Sequence, residues 1–113
     1  MGIIVEQSAA NWFFLLQKDN PEQNKVLEIG LKAAGCSGFE YTLKWLDKAP
    51  DNFIATQLNE KGQMLTVGYS DTFHSLLDGT TLRYEKDGIS YKLVYDNPHV
   101  EMACGCGASV NFK

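Results

Sequence analysis

The spacing of apolar and polar residues changes several times along the chain, and each change marks an element. Ile3-Ile4-Val5 is a short β-like opening. Ser8 is placed to cap a helix, and Ala9, Trp12, Phe13 and Leu16 then share one face at helical spacing. Phe14 and Leu15 widen that face beyond a single stripe, which offers either a larger core or a subunit contact, and Asp19-Asn20-Pro21 ends the helix. From Lys25 the period becomes two: Leu27, Ile29 and Leu31 point one way, Glu28 and Lys32 the other. The clearest strand follows, with Phe39, Tyr41, Leu43 and Trp45 alternating with Glu40, Thr42 and Lys44. After a turn at Pro50, Phe53 to Leu58 and Met64 to Tyr69 form a hairpin joined by Asn59-Glu60-Lys61-Gly62. Ser70 and Asp71 open a second short helix carrying Phe73, Leu76 and Leu77, and Gly79 ends it. Leu82 and Tyr84 begin a strand, Asp87-Gly88 turns it, and Ile89, Tyr91, Leu93 and Tyr95 line the return. Asn97-Pro98 stops that strand, and no periodicity follows.

This pattern predicts an α+β fold. Six or seven mostly antiparallel strands and two short helices form one compact, β-rich domain over 1–113, with an irregular, mobile tail over 98–113. A chain of 113 residues with 44% apolar and 21% charged residues matches an ordinary globular domain with a modest core. The net charge of −4 gives no footprint for nucleic acid or an anionic membrane surface. No apolar run reaches the ~20 residues that cross a bilayer, and no basic segment precedes a sustained apolar stretch at the N-terminus. These features favour a cytoplasmic protein.

The candidate chemistry lies in three cysteines, an odd number and too few for a disulfide framework. Cys104-Gly105-Cys106-Gly107 sets two thiols one residue apart, each followed by glycine. On one tetrahedral metal, sulfurs about 2.3 Å from the ion lie roughly 3.7 Å apart. Extended residues i and i+2 are about 6.6 Å apart, so the chain must curl, as glycine permits. Cys36 is flanked the same way, in Gly35-Cys36-Ser37-Gly38. Soft thiolates on glycine-rich segments suit iron–sulphur clusters, iron or zinc. The plain alternatives are a small buried residue for Cys36 and incidental cysteines in a tail for the pair. A disulfide within Cys104–Cys106 would close a strained ring. His99 and Glu101 stand near the pair as spare ligands, although solvated polar residues are the simpler reading, and His74 reads as a surface or packing residue.

Several features together resemble one family. Gly35-Cys36-Ser37-Gly38 leads into a tyrosine-containing strand, Leu77-Asp78-Gly79 ends a short helix, Asn97-Pro98 closes the last strand, and Cys104-Gly105-Cys106-Gly107 stands near the end. Their order and spacing resemble the A-type iron–sulphur cluster assembly proteins, the HesB-like or IscA/SufA family, over almost the whole chain. Family members often read Asn-Pro-Asn before the tail, where this chain reads Asn97-Pro98-His99. The resemblance implies a β-rich fold and a homodimer or homotetramer. It also implies that Cys36, Cys104 and Cys106 bind iron or a [2Fe-2S] or [4Fe-4S] cluster, received from a donor scaffold and delivered to apo-protein acceptors. It implies a carrier, not an enzyme. Two other functions use the same thiols: a chaperone or store for mononuclear iron or zinc, and a thiol–disulfide oxidoreductase. The last is disfavoured by spacing, since redox pairs are Cys-x-x-Cys at a helix start.

Overall fold

The structure, a computed structural model, describes residues 2–20, 22, 24–33, 38–60, 62–103 and 110–112. Among these residues are nine strands and two helices: β1 (Ile4–Val5), α1 (Gln7–Gln17), β2 (Val26–Ala33), β3 (Phe39–Leu46), β4 (Phe53–Glu60), β5 (Gln63–Ser70), α2 (His74–Leu77, led by a 3-10 turn at Asp71–Phe73), β6 (Thr81–Asp87), β7 (Ser90–Asp96), β8 (Val100–Ala103) and β9 (Val110–Phe112). They build two sheets, one ordered β1-β6-β7 and one ordered β4-β5-β2-β3-β9-β8. Pairing is antiparallel except for β1 with β6 and β2 with β5. The α+β class and the mostly antiparallel pairing expected from the sequence both hold.

The core lies where α1 and β1 meet the two sheets. Ile3, Ala9, Ala10, Phe13 and Phe14 pack there with Leu27, Ile29, Leu65, Val67, Tyr69, Leu77 and Leu82. Each large apolar side chain so buried stabilises by about 1.5–3 kcal/mol. Of the two readings of Phe14 and Leu15, a larger core or a subunit contact, the first holds for Phe14, which is 5% exposed and belongs to this core, whereas Leu15 is 62% exposed. The buried face of α1 is therefore rotated from the expected stripe, and it runs through Ala10, Phe14 and Gln17. Gln17 is tolerated inside because its Nε2 donates to the carbonyls of Asn24 and Met64 at 2.9 and 3.1 Å. Ser8 is not the cap. Glu6 holds that position, and the Ser8 hydroxyl instead accepts from the Tyr84 backbone N–H at 3.1 Å, tying α1 to β6.

The strands expected between Leu27 and Tyr95 fall at their expected places with small shifts at the turns. β4 and β5 pair out to Glu60↔Gln63, so their connection is shorter than the four-residue loop expected. Gly68 lies where a Cβ would come within 2.3 Å of the Ile54 carbonyl oxygen and 2.7 Å of the Phe53 ring, so only glycine lets β4 approach. Ile89, expected on the returning strand, is instead in the β6–β7 turn and is fully exposed. Ser70 caps the second helical segment by accepting from the Thr72 N–H, and Gly79 closes it at φ 82°. The tail departs from the irregular segment expected. Val100–Ala103 and Val110–Phe112 pair as antiparallel strands at the edge of the larger sheet. Strands of four and three residues, with a register shift between Val100 and Met102, are too short to print a period of two in the sequence.

Candidate functional site

Cys36, Cys104 and Cys106 lie outside the described residues, but the strands that flank them are described. β2 ends at Ala33 and β3 begins at Phe39, on either side of the Cys36 segment. β8 ends at Ala103 and β9 begins at Val110, on either side of the Cys104–Cys106 segment. The registers join these four residues in a single row across the sheet. Ala33 is opposite Phe39, Phe39 is opposite Val110, and Val110 is opposite Ala103. At about 4.8 Å between neighbouring strands, the row spans roughly 14 Å. Phe39 and Val110, 71 positions apart in the chain, thus become lateral neighbours at one corner of the sheet.

Two sets of contacts hold that corner. At one end, the rings of Phe39 and Phe112 meet with centroids 5.6 Å apart. At the other is Asn97, 8% exposed and fully engaged through its side-chain amide. Its Nδ2 donates to the Tyr41 hydroxyl at 3.2 Å and to the Leu76 carbonyl at 2.8 Å. Its Oδ1 accepts from the His99 N–H at 2.9 Å, an Asx-type turn that Pro98 favours. The His99 ring adds a fourth link: Nε2 donates to the Asp78 carbonyl at 2.9 Å, which requires the tautomer protonated at Nε2. His99 is therefore a structural tie between the start of the tail and the end of α2, not the solvated residue expected. The sequence reading used Asn97 as a strand stop and as part of the family resemblance, not as a hydrogen-bonding node. The signal available for more was a short amide side chain before proline at the start of an otherwise patternless segment.

Tyr41 also stacks on Tyr95 at 4.0 Å and 7°, bridging the two sheets. Burial pushes the Tyr41 hydroxyl above its ordinary value, with the Asn97 hydrogen bond opposing. Tyr95 is pushed up further, by burial first and then by the neighbouring Tyr41. Both are neutral phenols at neutral pH, so Tyr41 keeps its acceptor role toward Asn97 without carrying charge into the corner.

The other candidates resolve simply. His74 Nδ1 meets the hydroxyl of fully buried Tyr69 at 2.9 Å, and the two rings stack, so it packs as expected. Glu101 is on β8, next to the register shift. Asp78 accepts from the Gly2 N–H at 2.7 Å, the main cause that holds its carboxyl below the ordinary range. Among the described residues no group of three or more His, Cys, Asp or Glu is arranged to hold a metal, and no helix is long and apolar enough to cross a membrane.

A β-rich domain with two short helices and this sheet order belongs to a defined class. The family model described as iron–sulphur cluster biosynthesis matches residues 1–108, and the chain belongs to that family. Among its relatives, a protein of Yersinia enterocolitica named iron-binding protein IscA is 34% identical over 111 residues, covering 98% of this chain and 99% of that one. The protein of the same name from Serratia proteamaculans is 35% identical over equal coverage. The fold matches a crystal structure of IscA with a [2Fe-2S] cluster, at a TM-score of 0.81 and 19% identity over 98% of both chains. It also matches Escherichia coli SufA, at a TM-score of 0.73 and 23% identity over 97% of this chain and 92% of that one.

Proposed function

We propose that this chain carries an iron–sulphur cluster as cargo on the thiolates of Cys36, Cys104 and Cys106 and passes it to apo-proteins. The row Ala33–Phe39–Val110–Ala103 is the observation that carries this reading. It makes Phe39 and Val110, which border the two cysteine segments, lateral neighbours, and this supports a shared ligand set. The cluster arrives from a donor scaffold and leaves by ligand exchange: each incoming acceptor thiolate replaces one carrier thiolate on iron, with no net redox change. Nothing in this sequence of exchanges needs an acid, a base or turnover by the chain itself. A reducing compartment such as the cytoplasm keeps the thiols free for it.

Ligand number points to an oligomer. A [2Fe-2S] or [4Fe-4S] cluster takes four protein ligands, and one chain offers three cysteines. A homodimer or homotetramer completes the set. Anaerobic reconstitution followed by iron and sulphide analysis and native mass spectrometry tests the reading. The expected result is iron with matching acid-labile sulphide and one cluster per dimer, lost on replacing Cys104 or Cys106 by Ser. A second reading, mononuclear iron on the same thiols, draws on the names of the two iron-binding relatives. Iron bound without sulphide would establish it in place of the first.

A further inference from the structure

The family reading concerns the cysteines; the described residues around them point to a further device. The tail is fixed to β3 twice, on residues two positions apart. Before β8, Asn97 reaches the Tyr41 hydroxyl; at the end of β9, Phe112 packs on Phe39. Phe39 and Tyr41 share one face of the strand. The sixteen residues from Asn97 to Phe112, with the cysteine pair between, thus begin and end on the strand that follows Cys36. The first anchor is a buried, saturated node and the second an exposed ring pair, with Phe39 38% exposed.

We infer that Tyr41 and Asn97 act as positioning residues for cluster holding: this two-point clasp fixes the strands that flank the cysteine pair against β3 and thereby sets the rate at which cargo is released. The inference rests on the carrier reading above. Three features argue that the Asn97 node does more than end a strand. Both Nδ2 hydrogens and Oδ1 are used, on β3, on α2 and within the turn that leads into β8. The partner on β3 is a hydroxyl whose ring is itself clamped on Tyr95. The His99 ring repeats the link to the α2 end, so the direction in which β8 departs is fixed at the Asn97 amide and again one residue beyond Pro98.

Tyr41→Phe is the discriminating variant, because it removes one hydroxyl and leaves the Tyr95 stack and the Asn97 bond to Leu76 in place. Thr56→Val is the control. It removes a comparable hydroxyl, whose 2.8 Å bond goes to the Ile3 carbonyl on the far side of the fold. In the apo-protein, hydrogen exchange at the His99 and Val100 amides should quicken about tenfold in Tyr41→Phe and stay unchanged in Thr56→Val. After reconstitution, Tyr41→Phe should release cluster to a chelator at least threefold faster and show altered visible circular dichroism, while Thr56→Val behaves as wild type. Adding Phe112→Leu should raise release by more than the product of the single effects, since both anchors hold one segment. Equal release rates in Tyr41→Phe and Thr56→Val would overturn the positioning role, and unchanged amide exchange would overturn the clasp itself. A wild-type chain that takes up no cluster would overturn the carrier reading and the positioning role with it. That failure is distinguishable, because exchange in the apo-protein still separates the variants.

Discussion

The α1-backed core and the β3–β9–β8 corner are built on the same sheet by opposite means. In the core, large side chains are sealed from water: Phe13, Ile29, Val67 and Tyr69 have no exposed surface. At the corner the rings are half open and the strands are short. Geometry is held by a few directed hydrogen bonds around Asn97 and by one ring pair at Phe39. Non-directional burial gives stability without demanding one arrangement, whereas hydrogen bonds fix arrangement with little net stability, about 0.5–1.5 kcal/mol each. A protein that must hold cargo and surrender it gains from this division, because the corner can loosen without melting the domain.

The strongest way to break the comparison is to damage each region and read both properties. Phe13→Ala should cost about 3–5 kcal/mol by opening a cavity in the core. A urea midpoint would report that loss. Cys104→Ser or Cys106→Ser should leave the midpoint of the apo-protein unchanged and abolish stable cluster loading. A cysteine variant that unfolds as readily as Phe13→Ala would show that the corner carries the fold after all. Gly68→Ala belongs with the first class. Its Cβ would strike the β4 backbone at Ile54, so a penalty of several kcal/mol and partial separation of β4 from β5 are expected, visible as faster exchange at their paired amides.

An alkaline titration sharpens the comparison at the junction of the two regions. The folded chain keeps Tyr41 and Tyr95 protonated above their ordinary value of 10.0, whereas the unfolded chain ionises there. The native state therefore binds more protons in that window, and stability present at neutral pH is lost as pH rises past 10. Tyr95→Phe should flatten the decline, as followed by denaturant midpoints on either side of pH 10. A decline of unchanged slope in Tyr95→Phe would remove that tyrosine as a cause.

What the sequence disclosed divides along the same line. The period-two run Leu27-Ile29 announced its strand because burial on one face writes itself into alternation. The helix was found but its face was misjudged, since Trp12, Phe13, Phe14, Leu15 and Leu16 are all apolar and only the packing decides which turn inward. The cysteine segments were legible as chemistry, through thiols set among glycines. The corner beside them was not, because it depends on a register between β3 and β9 some 70 residues apart and on one amide, Asn97, whose partners lie on β3, on α2 and in its own turn. Neither leaves a local period.

The smallest expected effect lies where core and corner touch. Thr80 is fully buried between Gly79 and β6, and its hydroxyl is the one buried side-chain polar atom without a hydrogen-bond partner among the described residues. Its backbone is well used: the N–H donates to Leu77 at 3.1 Å, and the carbonyl accepts from Ile4 at 2.8 Å. A hydroxyl taken from water without compensation costs about 1–3 kcal/mol, and valine fills the same outline with a methyl group. Thr and Val are both β-branched and favour extended backbone, so the start of β6 should be undisturbed. Thr80→Val should therefore raise stability by about 1 kcal/mol, read as a melting temperature higher by several degrees for a domain of this size. Cluster loading and release should not change, because the backbone links to Leu77 and Ile4 survive and the Asn97 node is untouched. A loss of 1 kcal/mol or more would instead assign Thr80 a hydrogen-bonding partner and move it from the core into the network that holds the tail.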